Sequence, residues 1–185
     1  MPRFYLILNS FLNFDADIFY MKIEIRPYKA EDTQDILNII NYNILHSTAL
    51  YDYSIRSYDQ QKNILDDKIA KQFPVIVAEL DGQVVGFGMY SEFRFREAYK
   101  YTVEHSVYVE QNAHGKGIGK VLLQELIILA KAQGLHTMIG VIDSENQGSI
   151  DFHEKFGFKR AGIIKESGYK FDRWLDSVFM QLILE

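Results

Sequence analysis

The spacing of apolar residues predicts how strands and helices alternate along most of the chain. Residues 22–26 alternate in polarity as a short strand does, and Pro27 follows them. Apolar residues then recur three and four positions apart as far as His46, as on one face of a helix. Those positions are Ile36, Leu37, Ile40 and Ile44. A second helical pattern covers residues 58–71, so two helices are predicted to follow the first strand.

The remaining pattern predicts a mixed sheet. Residues 75–80 and 84–90 are rich in strand-forming side chains, and Asp81 and Gly82 between them are a strong hairpin signal. The other predicted elements are a strand at 102–109, an amphipathic helix between Ile118 and Gly134, a strand at 137–142, a helix at 147–156 and strands at 158–164 and 177–184. This order predicts the fold class, a single α/β domain built on a mixed sheet flanked by helices.

The first twenty residues do not fit this pattern. Two apolar stretches follow a basic residue there, as in a signal peptide, but Asp15 and Asp17 stand where a small-residue cleavage site should lie. Met21 directly precedes the first predicted strand. We therefore expect residues 1–20 to be a dispensable N-terminal extension and residues 21–185 to form the domain.

Composition narrows the classes of function. The 185 residues are 48% hydrophobic and 24% charged, which is typical of a globular protein that needs no covalent staples. The absence of cysteine excludes disulfides, thiol nucleophiles and cysteine-ligated metals. A net charge of −5 argues against nucleic acid or an anionic membrane as the main partner, and no apolar run is long enough to cross a bilayer. We expect a cytoplasmic protein.

A glycine-rich turn between the strand at 102–109 and the next helix is suited to bind phosphate. Alternate glycines let the backbone approach a ligand, and the helix N-terminus adds its partial positive charge. The turn consists of His114, Gly115, Lys116, Gly117, Ile118, Gly119 and Lys120. It is neither a Walker loop, which needs Ser or Thr after Gly-Lys, nor a dinucleotide fingerprint, which needs Gly or Ala where Lys120 stands. The glycines alone would also fit a loop that only turns tightly.

The turn resembles that of the GNAT acetyltransferase superfamily, which usually reads Q/R-x-x-G-x-G/A. Here Gly117 and Gly119 match, and His114 occupies the first position. Downstream, Asn146 and Ser149 together with the HEKFGF string at 153–158 resemble the superfamily's N-x-x-S-x-x-x-Y-E-K-x-G-F block. The resemblance implies a GNAT-type domain with a mixed, mostly antiparallel central sheet and acetyl-CoA as co-substrate.

A narrower resemblance covers nearly the whole chain after Met21. The strings RFR at 94–96, TVEHSVYV at 102–109 and GYKFDRWLD at 168–176 are similar to the phosphinothricin and methionine sulfoximine N-acetyltransferases. In that group His is also usual at the position of His153. The resemblance implies direct transfer of acetyl from acetyl-CoA to the primary amine of a small amino-acid-like substrate.

The same resemblance implies a set of site residues and no metal. Glu104 is the expected general base and His153 the expected general acid. The expected cofactor contacts are Val107, Tyr108, Val109, His114, Gly115, Lys116, Gly117, Ile118, Gly119, Lys120, Asn146 and Ser149. The expected substrate contacts are Arg94, Phe95, Arg96, Glu104, His105 and Ser106.

Strand alternation gives Glu104 and His105 opposite faces. A carboxylate in mid-strand is often solvent-facing, whereas a partly buried one has a raised pKa suited to base catalysis. The residues alone leave both interpretations of Glu104 open, and the resemblance favours catalysis. His105 is interpreted as a core histidine with its hydrogen bonds satisfied. The backbone N–H of Tyr108 or Val109 is the expected donor to the acetyl carbonyl oxygen.

Arg94 and Arg96 are predicted to point the same way if their segment is extended. Arginine suits two-pronged binding of a carboxylate, although such a pair is more often a surface feature. The aromatic residues Tyr169, Phe171 and Trp174 are either core residues or contributors to the site and a dimer contact. Residues 171–183 are long and apolar for a terminal edge strand, which predicts a homodimer that covers them.

Two other functions stay open. One is acetylation of a protein N-terminus or of a polyamine, although a polyamine site should be rich in carboxylates rather than in residues such as Arg94 and Arg96. The other is a CoA-binding regulatory domain without turnover, against which the retention of Glu104 and His153 argues.

Overall fold

The computed structural model describes residues 4–6 and 23–185, whose strands form one eight-stranded sheet. The strands are β1 (Phe4–Leu6), β2 (Ile23–Pro27), β3 (Val75–Leu80), β4 (Gln83–Glu92), β5 (Thr102–Val109), β6 (Thr137–Asp143), β7 (Lys159–Lys170) and β8 (Arg173–Ile183). The helices are α1 (Thr33–His46), α2 (Tyr58–Ala70), α3 (Ile118–Ala132) and α4 (Gln147–Glu154). The strand order is β1-β2-β3-β4-β5-β6-β8-β7. Within the described part of the chain only β5 and β6 pair in parallel, so the predicted mixed, mostly antiparallel sheet is confirmed.

Most of the predicted N-terminal extension lies outside the described residues. Its described part, β1, pairs antiparallel with Ile23–Ile25 at one edge of the sheet. The other seven strands and the four helices lie within residues 23–185. That residues 1–20 are dispensable stays a prediction.

The sheet separates two hydrophobic cores. On one face α3 and α4 bury their apolar sides, with Leu122 and Leu126 against Met138. On the other face Ile36 and Ile40 of α1 pack with Leu65 of α2. Each such side chain contributes about 1.5–3 kcal/mol when it is fully buried. The helical periodicity that predicted α1 and α3 is therefore the periodicity of these two buried faces.

The hairpin of β7 and β8 is longer than the sequence predicted. We expected strands that end at residue 164 and resume at residue 177, but they run to Lys170 and from Arg173. Phe171 and Asp172 form the turn with φ of 54° and 56°, in the left-handed region that non-glycine residues rarely adopt. The turn thus lacks the Asn-Gly or Asp-Gly signal by which such hairpins are recognised.

The prediction that the terminal strand lies at the sheet edge is wrong. β8 lies between β6 and β7, and β7 forms the edge, because the chain passes from α4 to the outside of the sheet before it returns. Both sides of β8 are therefore hydrogen-bonded within the subunit. The aromatic residues near the hairpin turn are not core residues either, since Tyr169, Phe171 and Trp174 are 42%, 52% and 60% exposed.

Candidate active site

The candidate site lies where the only parallel strand pair of the described sheet separates. β5 and β6 pair only from Thr102 opposite Thr137 to Glu104 opposite Ile139, although both strands continue further. A cavity of about 1040 Å³ lies beside this gap. Its lining residues are drawn from 47–51, 104–109, 113–120, 140–143 and 146–155, with Asn43. The expected base, the expected acid and the glycine turn thus share one cavity.

The separated part of β5 presents unpaired backbone groups to the cavity. The N–H of Glu110 donates to the carbonyl of Val85 at 2.8 Å, so even-numbered residues of β5 direct their polar groups to β4. Odd-numbered residues, including Val107 and Val109, direct theirs to the gap. Tyr108 and Val109 were the two residues whose backbone N–H was expected to donate to the acetyl carbonyl oxygen. Of these two groups only the Val109 N–H points into the gap, because the Tyr108 N–H points to β4. Such an open strand edge accepts an extended, amide-bearing ligand as an added strand.

The glycine turn ends in the N-terminus of α3. Gly115 and Gly117 have φ of 76° and 77°, whereas Gly119 lies in the first helical turn. The first intrahelical bond runs from the Val121 N–H to the Gly117 carbonyl at 3.2 Å. The N–H groups before Val121 therefore have no partner within the helix, which suits a phosphate or pyrophosphate.

His114 fastens this turn to β5. Its Nε2 lies 3.0 Å from the carbonyl oxygen of Val109, and since a carbonyl only accepts, the ring donates. This hydrogen bond holds the start of the turn against the end of β5. His114 also remains a predicted cofactor contact.

Asn146 and Ser149 shape the start of α4. The Asn146 side chain caps the helix, because its Oδ1 accepts from the Ser149 N–H at 3.0 Å. The Ser149 carbonyl accepts from Nδ1 of His153 at 2.6 Å. The two residues line the cavity and also set the orientation of the expected general acid.

His153 contacts His105 across the base of the gap. Their Nε2 atoms lie 3.1 Å apart, and both residues are buried. Because His153 carries its proton on Nδ1, a neutral ring accepts at Nε2 and His105 must donate. A Cβ on Gly140 would lie 3.0 Å from the Nε2 of His105, so only glycine lets the rings approach the backbone of β6 here.

The environment keeps both imidazoles neutral. Burial, together with the charge of the neighbouring His153, lowers the pKa of His105 to about 3. Burial also lowers the pKa of His153, although the hydrogen bond to Ser149 opposes this. The core position of His105 matches the interpretation from sequence, but its Nδ1 is buried with no hydrogen-bond partner among the described residues. Each neutral ring carries one proton, on Nδ1 in His153 and on Nε2 in His105, and each of these protons is donated in one of the two hydrogen bonds just described.

Glu104 lies on the opposite face of β5 from this pair and is half-buried. Burial raises the pKa of its carboxyl, and the charges of Arg94 and Lys68 partly offset the rise. Ser106 lines the cavity on the same face. The alternation predicted along β5 thus places a carboxylate of raised pKa on one face and a neutral histidine pair on the other.

Residues 94–96 do not form a strand and do not line the cavity. Residues 93–96 form bends, and Phe95 is 84% exposed. The guanidinium carbon of Arg94 lies 4.5 Å from the centroid of Phe93, and that of Arg96 lies 4.9 Å from the centroid of Phe95. Each arginine therefore stacks on its preceding aromatic ring, and Arg94 is linked to the cavity through its charge on Glu104.

Sequence reasoning missed one wall of the cavity, residues 47–51 between α1 and α2. Thr48 hydrogen-bonds Asp143 at the end of β6, and Arg173 donates to the same carboxylate at 3.0 Å. Burial would raise the pKa of Asp143, but these bonds and the Glu145 N–H outweigh it and hold that pKa below its usual range. The partners lie far apart in the chain, so no local pattern signals the wall.

An open strand edge beside a phosphate-binding helix N-terminus defines an acyl-CoA site, because acyl-CoA joins an extended amide-bearing arm to a pyrophosphate. The model of the family described as "Acetyltransferase (GNAT) family" matches residues 39–158. The chain belongs to this family and is an acetyl-CoA-dependent acetyltransferase.

Three relatives extend over most of the chain. The L-methionine sulfoximine/L-methionine sulfone acetyltransferase of Pseudomonas aeruginosa is 39% identical over 166 residues, which are 89% of this chain and 96% of that protein. A phosphinothricin acetyltransferase from Sinorhizobium meliloti, solved with acetyl-CoA, is 36% identical with a TM-score of 0.85 and covers 88% of each chain. A ribosomal-protein-alanine N-acetyltransferase from Brucella melitensis is 39% identical with a TM-score of 0.86, covering 86% of this chain and 99% of the other.

Two other features are absent from residues 4–6 and 23–185. None of the helices in these ranges has the length and apolarity to cross a bilayer. The same ranges contain no group of three or more His, Asp and Glu side chains that could hold a metal ion.

Proposed function

We propose that this enzyme acetylates the α-amino group of small amino-acid analogues of the methionine sulfoximine, methionine sulfone or phosphinothricin type. The observation that carries the proposal is the position of Glu104, a half-buried carboxylate of raised pKa at the point where β5 and β6 separate. The names of the relatives from Pseudomonas aeruginosa and Sinorhizobium meliloti support this choice of acceptor.

The residues present fit acetyl-CoA. The backbone groups of Val107 and the N–H of Val109, which point into the gap, suit the pantetheine arm, and the N–H groups of residues 115–120 suit the pyrophosphate. No metal is required in this proposal, because these amides and the positive end of α3 supply the positive electrostatic field that the pyrophosphate needs. Acetyl-CoA supplies an activated acetyl group, and the protein supplies position, a base and hydrogen-bond donors.

Glu104 removes a proton from the acceptor amine, directly or through one water. Its face of β5 carries the wall at 47–51, so the amine enters from that side. The Val109 N–H donates to the acetyl carbonyl oxygen as negative charge develops on it. CoA leaves as a thiolate, and His153, which lines the same cavity, is its general acid in this proposal. The absence of cysteine fits direct transfer, because that nucleophile is unavailable to form an acyl-enzyme.

Replacing Arg94 by Ala should raise KM for L-methionine sulfone about tenfold, because it removes a positive charge near Glu104 that would attract the substrate carboxylate, and should leave acetyl-CoA binding within about twofold. Loss of its charge should also raise the pKa of Glu104, so the rise of kcat/KM with pH should move to higher pH. Arg96→Ala is the comparison, and its effect on that pH profile should be smaller. Steady-state kinetics from pH 5 to 9 with calorimetry of acetyl-CoA binding test this. Equal turnover of amines with and without a carboxylate would contradict it.

A second acceptor is a protein N-terminus, which the name of the Brucella melitensis relative favours. A panel of free amino acids and of peptides with unblocked N-termini, read by released CoA, distinguishes the two. Faster turnover of peptides than of L-methionine sulfone would favour the second acceptor.

We also propose that the enzyme is a cytoplasmic homodimer. Because β8 is an interior strand, it does not require a dimer to cover it, but the exposed aromatic residues at the β7–β8 turn favour one. Tyr169 and Trp174 pack edge to face with centroids 5.0 Å apart while both remain exposed. A two-fold interface would cover such a surface. Light scattering should give about twice the chain mass, and Trp174→Glu should shift it towards the monomer. A monomer mass at high concentration of the unaltered protein would refute the dimer.

A further inference from the structure

Lys170 is a buried lysine whose ammonium group is held by backbone carbonyls. The residue is 2% exposed, and its Nζ donates to the carbonyls of Ser47 at 2.8 Å and Leu50 at 2.5 Å. Within residues 23–185 no carboxylate lies within ion-pair distance of this group, and Asp52 acts on it only at longer range. Burying an ammonium is costly, so its bonds to this one segment need an explanation beyond charge pairing.

The segment that Lys170 holds is the cavity wall at 47–51. This segment has no regular secondary structure. Its local backbone bonds are those of the Ser47 N–H to the Asn43 carbonyl and of the Ala49 N–H to the Ser47 hydroxyl. Leu50 packs against the core that contains Tyr108, on the same face of β5 as Glu104. The wall therefore stands on the side from which the acceptor amine enters.

Further contacts join the same wall to the β7–β8 hairpin. The hydroxyl groups of Tyr51 and Ser177 lie 3.2 Å apart, and the Tyr53 hydroxyl donates to the carbonyl of Tyr169. The Tyr51 ring lies so close to Gly168 that a Cβ there would be 2.6 Å from a ring carbon. The hairpin thus fixes both the backbone and one aromatic ring of the wall.

We propose that Lys170 is a positioning residue that sets the acceptor-binding wall formed by residues 47–51, and through it the affinity for the amino-acid substrate. This role rests on the proposed function, because it assumes that the acceptor lies between that wall and Glu104. Lys170 does not touch the reacting atoms. It is the only donor to the Ser47 and Leu50 carbonyls among the recorded side-chain hydrogen bonds of the described residues.

The test replaces Lys170 by Met, which keeps the apolar, unbranched part of the side chain and removes the ammonium group with its three donors. Lys165→Met, at an exposed position of the same strand, is the matched control. Gly168→Ala is a second variant, which displaces the Tyr51 ring and leaves the lysine in place. For each variant we would measure KM and kcat with L-methionine sulfone, calorimetric binding of acetyl-CoA, thermal unfolding and hydrogen exchange of the amides at 47–53.

Lys170→Met should raise KM for the amino acid about tenfold to a hundredfold, because a small misplacement of a binding wall has effects of that order. Acetyl-CoA affinity should stay within about twofold, and the amides at 47–53 should exchange faster. Gly168→Ala should raise KM by a smaller factor, and Lys165→Met should change nothing. If Lys170→Met does not fold, KM and hydrogen exchange of Gly168→Ala decide whether the position of the wall sets the affinity for the amino acid.

Unchanged KM and unchanged exchange in a folded Lys170→Met enzyme would overturn the proposal. Equal loss of acetyl-CoA binding and amine binding would also overturn it, since that pattern indicates a general structural role. If the unaltered enzyme acetylates no amino acid, the proposed function fails. Hydrogen exchange at 47–53 then still decides whether Lys170 holds the wall.

Discussion

Replacing Glu104 by Gln is expected to lower kcat about a hundred- to ten-thousand-fold at pH 7, the range that a positioned base contributes. The loss should shrink towards pH 9, because an α-amino group with a pKa near 8 then loses its proton without help. In the unaltered enzyme kcat/KM should rise with pH through a pKa above the usual value for Glu, since burial raises the pKa of Glu104. His153→Phe should lower kcat by a smaller factor than Glu104→Gln. The CoA thiolate can leave without being protonated, whereas a protonated amine cannot attack the thioester.

A matched control separates this effect from a change in fold. Glu125 also has a pKa raised by burial, but it lies on α3 and does not line the cavity. Glu125→Gln should therefore leave kcat unchanged. A raised pKa in the folded state means that Glu104 favours folding below its usual pKa and disfavours it once ionised. Glu104→Gln should therefore raise Tm at pH 7 while activity falls. A variant with normal kcat from pH 6 to 9 would rule out Glu104 as the base.

The buried histidine pair is expected to make the protein less stable in acid. In the unfolded chain His105 binds a proton near pH 6.5, whereas the folded protein holds its pKa at about 3. The stability that this depressed pKa contributes is present above pH 6.5 and is lost as pH falls. Linkage gives about 1.4 kcal/mol per pH unit, so His105 alone should remove about 3 kcal/mol of unfolding free energy between pH 6.5 and pH 4.

Urea unfolding at pH 7 and pH 4.5 measures this effect. His105→Phe removes the titrating group and should flatten the pH dependence, even though it leaves the Nε2 of His153 without its donor. His46→Gln, at an exposed position of α1, should leave the dependence as it is in the unaltered protein. An unchanged pH dependence in His105→Phe would mean that the pair is not held neutral in the folded state.

Much of the local structure could be predicted because it follows from nearby residues. The apolar positions of α1 repeat at helical spacing, and all four predicted ones are buried. Asp81 and Gly82 have φ of 50° and 85°, the left-handed pair that their sequence favours. Gly115 and Gly117 adopt the positive φ that the phosphate-binding turn needs. Dihedral preference and periodicity act within a few residues, so these features are readable along the chain.

Contacts between distant residues required the tertiary structure. The pairing of His105 with His153 joins residues 48 apart, and Lys170 reaches carbonyls 120 and 123 positions earlier in the chain. Neither pair has a local signal, because each forms only when β5, α4 and the β7–β8 hairpin pack together. The alternation along β5 predicted that Glu104 and His105 lie on opposite faces of the strand. It could not predict which residues pack against each face.

The sequence by itself determined the fold class, the glycine turn before α3 and, through its resemblance to a family, the chemistry expected of Glu104. Only the tertiary structure decided that β8 is an interior strand, that His153 accepts a hydrogen bond from a second imidazole, and that residues 47–51 wall the cavity. The physical reason is that strand order and burial depend on how whole elements pack. A residue's hydrogen-bond partner and pKa follow from that packing, whereas its backbone preference does not.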